Sequence, residues 1–403
     1  MTYRETLDWM FARLPMYQQR GAVALNAKLE TIQQFSSYLG NPHRDFRSIH
    51  VAGTNGKGSS SHMLASVLQE AGYKTGLYTS PHLQDFRERI RIDGKEISES
   101  YVIGFIARHQ DYLEAHSLSF FELTVGMAFE YFSAQKVDIA VIEVGLGGRL
   151  DSTNIITPEV SLITNIGMDH MEFLGDSLPE IAREKAGIIK PGVPVVVSET
   201  QHEVAGVFEA IADERKAPLN FADQRDFPEY STTLNGNYQK RNIRGVLGTL
   251  SMLKEFPVRD ADIVNGLLKV TENTGLKGRW QTLGENPKII CDTAHNPDGL
   301  GLVIEQLLSQ DYKRLHIVLG FVKEKPLEKV LPLFPSEAVY YFARPDIPRG
   351  LDAQTLRQIG FAYGLEGESY ASVEGALKAA RKAAAAEDLI FVGGSTFVVA
   401  EVV

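Results

Sequence analysis

Across residues 47–197, apolar runs of strand length alternate with longer stretches of helical spacing. The clearest strands are residues 48–52, 137–144, 160–166 and 193–197, each almost continuously apolar. Runs of that kind are buried on both faces, which predicts a mostly parallel sheet covered by helices. Residues 101–114 and 119–135 have the length and spacing of such helices. A second alternation begins near Pro287, with strands predicted at 288–291, 315–319, 339–342 and 389–392 and helices near Leu300, Leu327, Gln354 and Val373. It reads as an independent Rossmann-like unit. The polar, turn-forming stretch 283–287 marks the expected join, giving domains 1–285 and 286–403. No internal repeat is visible, and the Ala- and Lys-rich stretch 376–386 reads as a surface helix.

Composition narrows the function classes. The 403 residues exceed one ordinary domain, and 44% hydrophobic with 23% charged residues is the balance of a soluble globular protein. A formal charge of -10 with only short Lys/Arg groupings argues against a nucleic-acid partner, because phosphate backbones demand a basic face. Cys291 is the only cysteine, so an intrachain disulfide and a multi-cysteine zinc site are both excluded, which fits a reducing cytosol. The N-terminal MTYRETLDWMFARLP carries Glu5 and Asp8 and does not read as a secretory signal. No apolar run approaches the ~20 residues of a membrane span. A cytoplasmic monomer acting on small molecules is expected.

The densest chemistry lies in VAGTNGKGS, residues 51–59. It follows an apolar strand and precedes a helix-compatible stretch, the order a phosphate cradle requires. Gly53, Gly56 and Gly58 let the backbone turn and aim N–H groups inward, the helix N-terminus adds partial positive charge, and Lys57 supplies a full one. An ATP or GTP site follows, although Val51 stands where the standard pattern has its first Gly and Gly58 separates Lys57 from Ser59.

Four segments further on carry polar groups in apolar settings. YTSPHL, with Ser80, precedes the arginine-rich RERIR of residues 87–91; read alone, it is a turn beside a solvated face. Glu143 ends the apolar strand 137–144, where a buried carboxylate needs a cation, either Mg²⁺ on a nucleotide or a basic side chain. His170, in TNIGMDH, falls at the carboxyl side of the next strand, where ligands collect in open sheets. Lys185 sits among Ala, Gly and Ile; a desolvated lysine reacts as a neutral amine, while composition alone makes it an ordinary helix lysine.

These motifs, in this order, resemble the folate-adding ligases of the Mur ligase superfamily, the folylpolyglutamate and dihydrofolate synthases. The resemblance runs from near Leu29 to Val403. It implies an α/β fold with a Mur-ligase-like P-loop ATPase domain followed by a Rossmann-like C-terminal domain. It further implies an ATP loop at Gly53, Thr54, Asn55, Gly56, Lys57, Gly58 and Ser59, and two Mg²⁺ sites built from Ser80, Glu143, His170 and a carbamylated Lys185. Asn242 resembles the family's adenine-side Asn. Arg279, in KGRW where the family usually has Pro before the Gly, resembles its phosphate-binding Arg. Asp292, in DTAHNP, resembles its second-domain ATP contact. His295, of the same motif, lies near the glutamate site, and Ser395 is a candidate contact for the incoming amino acid. The pterin side is implied at Phe120, Phe121 and Glu122, from SFFE, and at Leu150, Asp151 and Ser152, from GGRLDSTN; residues 25–32 depart from the family's GLERI pattern. Lys57, Lys185 and His295 are the implied catalytic residues. Asp169 reads as structural.

The implied reaction is ATP-dependent joining of L-glutamate to a folate or dihydropteroate carboxylate through an acyl phosphate, with domain closure gating catalysis. Only about fifty residues precede Gly53, too few for the nucleotide-sugar domain of a Mur ligase proper, so a folate is favoured over a cell-wall precursor. A bifunctional synthase is the leading expectation. Folylpolyglutamate synthesis alone, a P-loop NTPase without ligase activity, and an inactive nucleotide-binding regulator stand as alternatives.

Overall fold

The computed structural model describes residues 1–14 and 28–403, so residues 25–27 of the departing N-terminal pattern lie outside the described residues. The chain forms two compact units, one of Met1–Thr233 with Lys240–Gly275, the other of Leu234–Gln239 with Leu276–Val403.

The first unit is built on an eight-stranded sheet of order β4-β3-β2-β5-β1-β6-β7-β8. Its parallel centre is β1 (Arg47–Ala52), flanked by β5 (Ile139–Glu143) and β6 (Val160–Ile163), with β2 (Thr75–Tyr78) beyond β5 and β7 (Val195–Val197) and β8 (Leu219–Phe221) beyond β6. Both faces are covered, as the apolar runs predicted. Phe35, Phe105, Phe129 and Phe132 belong to one core, and Ile181, Ala186, Val204 and Phe208 to another. β5 starts two residues later than its apolar run because Lys136, in the left-handed region at φ +54°, ends the preceding helix, and the Val137 N–H still bonds back to Phe132. β6 stops at Ile163 because the following polar residues are drawn into the phosphate loop. The antiparallel edge, β3 (Ile90–Ile92) and β4 (Lys95–Glu96), is absent from the sequence reading; Asp93 and Gly94, both at positive φ, make its turn.

The second unit is a six-stranded sheet of order β13-β12-β11-β14-β10-β9. β10 (Lys288–Cys291), β11 (Leu315–Leu319), β12 (Val339–Ala343) and β14 (Leu389–Gly393) match the predicted strands, and β13 (Gly367–Tyr370) adds a parallel edge. The expected join at 283–287 is instead the tight connection between β9 (Gln281–Glu285) and β10, an antiparallel pair inside this unit. The division between units falls at Gly275/Leu276, and a polar, turn-rich run served as a hairpin turn rather than a linker.

Candidate active site

Only residues 53–56 separate β1 from the helix Lys57–Glu70. Gly53 has φ +140° and Gly56 φ +85°. At both positions a Cβ would collide, at Gly53 with the Thr164 hydroxyl and at Gly56 with the Asn242 side-chain amide. Only glycine fits there. The loop is braced by the segment after β6. The Thr54 N–H donates to the Asn165 carbonyl (2.8 Å), the Asn55 N–H to Asn165 Oδ1 (2.8 Å), and the Thr164 hydroxyl to the Asn55 carbonyl (2.6 Å). Sequence reasoning missed Thr164 and Asn165; the TN pair directly after an apolar strand was the available signal.

Two lysines converge on one carbonyl of this loop. Lys57 Nζ donates to Gly53 O (3.1 Å) and Thr54 O (3.2 Å), while Lys185 Nζ donates to Gly53 O (3.0 Å). Lys185, on the helix Leu178–Ala186, is 4% exposed. Burial pulls its amine down to about 7, and the positive charge of Lys57 acts in the same direction. Asp169, read from the sequence as structural, carries a negative charge that partly counters this. Ser59 is buried in the first turn of the helix, and Asn242, near the start of Gln239–Met252, lies against Gly56.

On the other side of β5, the Glu143 carboxylate is 4% exposed and accepts the Ser80 N–H at 3.0 Å. The parallel pairing of β2 with β5 brings these two residues together. His170 stands at φ +51° with its side chain 34% exposed and Nε2 4.0 Å from Asp169. Among the described residues no group of three or more His, Cys, Asp or Glu is placed to hold a metal. Ser80, Glu143, His170 and Lys185 offer a hydroxyl, a carboxylate, an imidazole and an amine, so a hard cation would depend on Glu143 and on chemical change at Lys185.

The pterin-side candidates divide. Phe120 is buried, and Phe121 closes over Gly145, where a Cβ would meet its ring. Glu122 accepts from both the Ser119 N–H (2.8 Å) and hydroxyl (2.9 Å), closing the capping box of the helix Phe120–Gln135. Leu150 and Ser152 are half-buried. Asp151 is buried, and its Oδ2 accepts the Gly145 (3.0 Å) and Leu146 (2.9 Å) N–H groups. Its Oδ1 accepts from the Thr153 N–H (2.9 Å) and hydroxyl. His50 Nε2, 2.9 Å from the Thr153 hydroxyl, completes the chain. The Asp151 carboxylate thus holds the shape of the Gly-rich turn after Glu143.

In the second unit, the candidates gather at the carboxyl ends of the neighbouring strands β10 and β14. Asp292 is 2% exposed; Oδ2 accepts from the Tyr238 hydroxyl (2.6 Å) and Trp280 N–H (2.8 Å), and Oδ1 from the Ala294 N–H (2.8 Å). Burial pushes this carboxyl upward despite those donors. It therefore fixes the turn carrying Arg279, which is half-buried. His295 Nδ1 lies 3.0 Å from the Thr293 carbonyl, which requires the proton on Nδ1 and leaves Nε2 as an acceptor. Ser395 caps the helix Thr396–Ala400 by accepting the Phe397 N–H at 3.1 Å.

A glycine phosphate loop on one parallel sheet, joined to a second α/β unit with an Asp–His pair at its strand ends, is the layout of an amide-forming ATP-dependent ligase. Residues 51–242 match the Mur ligase middle domain and residues 278–396 the Mur ligase glutamate ligase domain. The chain is 33% identical over 431 residues to a probable bifunctional folylpolyglutamate synthase/dihydropteroate synthase of Haloferax volcanii, covering all of this chain and 50% of that protein. It therefore spans about half the length of that relative. Against the dihydrofolate synthase/folylpolyglutamate synthase of Bacillus subtilis it is 32% identical over 388 residues, 88% of each chain. Among solved structures, E. coli FolC in complex with DHPP and ADP superposes with a TM-score of 0.88 at 30% identity, covering 100% of this chain and 97% of that one. A bifunctional folylpolyglutamate synthase/dihydrofolate synthase with Mn, AMPPNP and L-glutamate bound gives a TM-score of 0.86 at 30% identity, covering 98% and 97%. The chain belongs to the dihydrofolate synthase/folylpolyglutamate synthase family of the Mur ligases.

Proposed function

We propose that this chain uses ATP to join L-glutamate to the carboxylate of dihydropteroate and of reduced folates, acting as both dihydrofolate synthase and folylpolyglutamate synthase. The observation that carries the reading is the convergence of Lys57 and buried Lys185 on the Gly53 carbonyl, across β5 from the buried carboxylate of Glu143. That arrangement suits a phosphoryl group brought up to a second anion. A carboxylate is a poor acyl donor, so the acceptor first attacks the γ-phosphate to give an acyl phosphate and ADP. The glutamate amine then displaces phosphate through a tetrahedral intermediate.

The chain's own groups divide this work. Residues 53–59 hold the phosphates with backbone N–H groups and a helix N-terminus, and Lys57 neutralises charge developing on the transferring group. The neutral amine of Lys185 adds CO₂ and loses a proton, turning a desolvated cation beside Lys57 into an anion that attracts it. Ser80, Glu143, His170 and the carbamate of Lys185 would then hold two magnesium ions, the first three fitting as a buried donor set at strand ends. When bound, the metal supplies charge stabilisation for the phosphoryl oxygens. In the second unit, Arg279 would serve the nucleotide, with Asp292 fixing its turn, and His295 and Ser395 would serve glutamate. The acidic balance and single buried cysteine favour a cytoplasmic enzyme of small molecules.

The test is phosphate release from ATP and Mg²⁺ with labelled L-glutamate, offering dihydropteroate and tetrahydrofolate separately. Label entering both acceptors is the expected result. Label in tetrahydrofolate alone would restrict the chain to polyglutamylation. ATP hydrolysis with no glutamate incorporated would replace the ligase reading with that of a P-loop NTPase.

A further inference from the structure

Three arginines follow one another at alternate positions beside β2, and they differ in what neutralises them. Arg87 pairs with Asp85 at 3.0 Å, and Arg91 pairs with Glu96 at 2.9 Å. Arg89, between them, is only 3% exposed, yet among the described residues no carboxylate forms an ion pair with it. Its Nε donates to His82 Nδ1 at 2.7 Å, and its guanidinium carbon lies 5.4 Å over the centre of the Phe120 ring. With the Tyr78 hydroxyl, these contacts are all neutral. The nearest acids are engaged elsewhere: Glu88 accepts the N–H groups of Leu83 (2.7 Å) and Gln84 (2.9 Å), and Glu143 accepts that of Ser80.

A guanidinium stays charged, and an uncompensated buried charge is costly enough that an anion is expected opposite it. Position says which one. The Arg89 carbonyl accepts the Thr79 N–H at 3.0 Å, which seats Arg89 at the carboxyl end of β2. In the sheet order β2-β5-β1, the end of β5 with Glu143 lies between Arg89 and the phosphate loop. An anion on Arg89 would face the phosphate loop across Glu143, with Phe120 and Phe121 beside it for an aromatic group.

We propose that Arg89 binds the carboxylate of the acceptor, with His82 fixing the guanidinium by accepting its Nε–H, so that this pair selects aromatic acceptors bearing a carboxylate. The proposal rests on the ligase reading above. Its chemistry is charge-assisted recognition by a planar fork that matches a carboxylate.

The experiment is calorimetric titration of wild type, R89K and R89Q with dihydropteroate, with tetrahydrofolate, and with the primary amide of whichever acceptor the wild type binds. R89Q is expected to bind the carboxylate form 10- to 100-fold more weakly while binding the amide and Mg·ATP within twofold of wild type, roughly what loss of one charge-assisted contact costs. R89K should keep most of the carboxylate preference. Unchanged Mg·ATP binding also shows that R89Q has folded. Equal weakening for carboxylate and amide, or none for either, would overturn the proposal and leave Arg89 as packing. Wild type that binds neither carboxylated acceptor would sink the ligase reading with it, a result distinct from a selective failure at Arg89.

Discussion

Lys185→Met removes an amine that the fold holds against its preference for water. The side chain is 4% exposed, and burial first, then Lys57, draws its amine from an ordinary 10.5 to about 7. Between those two pH values the unfolded chain binds more protons than the folded one. Stability therefore rises with pH across that window, and the full penalty is present below pH 7. At about 1.4 kcal/mol per pH unit, the ammonium costs the fold roughly 4–5 kcal/mol at pH 6.5. Methionine keeps similar bulk and buries no charge, and Lys57 still satisfies the Gly53 carbonyl. K185M is therefore expected to be more stable than wild type by about 2–4 kcal/mol at pH 6.5 in CO₂-depleted buffer. The advantage should vanish near pH 10.5. Glutamate-dependent turnover should fall at least ~100-fold at every pH, since both the amine and its carbamate are gone. Urea unfolding across pH measures the first two effects. Bicarbonate should stabilise wild type and leave K185M unmoved. A K185M protein less stable than wild type at pH 6.5, or a stability difference that ignores pH, would refute the reasoning.

Gly56→Ala places a methyl in the Asn242 side chain at a positive φ, and should weaken ATP binding by roughly 10–100-fold in equilibrium titration while leaving the second unit's stability unchanged. Glu143→Gln keeps an acceptor for the Ser80 N–H but removes the charge; half-maximal activity should require at least ~10-fold more Mg²⁺, read from metal titrations of turnover after EDTA treatment. Asp292→Asn turns one of two fully engaged oxygens into a donor facing the donors Tyr238, Trp280 or Ala294, and should lower stability in urea by about 2–4 kcal/mol. Burial holds His50 down to about 3, well below the ordinary 6.5, so its contribution is complete above pH 6.5 and fades as pH falls toward 3. The stability gap between wild type and His50→Gln should therefore shift by about 2–3 kcal/mol between pH 6.5 and 4.5 in urea unfolding.

What the sequence revealed and what it hid follow from how far apart the interacting residues lie. Strands β1, β5, β6, β10, β11 and β14 are buried on both faces, so each is an apolar run that needs no partner to be recognised. The edge strands β3, β4, β9 and β13 are short or half-exposed and carry charges, so their clearest mark was the Asp93–Gly94 turn. The phosphate loop was legible because its chemistry is contiguous. The groups that hold it, Thr164 and Asn165, lie 109 and 110 residues away along the chain, and hydrogen bonds over that distance leave no local pattern. The same holds for His50, whose partner Thr153 lies 103 residues on; a histidine inside an apolar strand was the one available hint. Glu122 shows the opposite case. Ser119 followed three residues later by Glu, ahead of an apolar helix, is the local signature of a capping box, and the carboxylate lies where that signature puts it. The family resemblance pointed the same residue toward a ligand. Where a strictly local rule already accounts for a polar side chain, it predicts that side chain's place better than a motif whose partners lie elsewhere. Arg89 meets neither condition: it has no local acid and no local cap, and that absence makes it the residue to mutate.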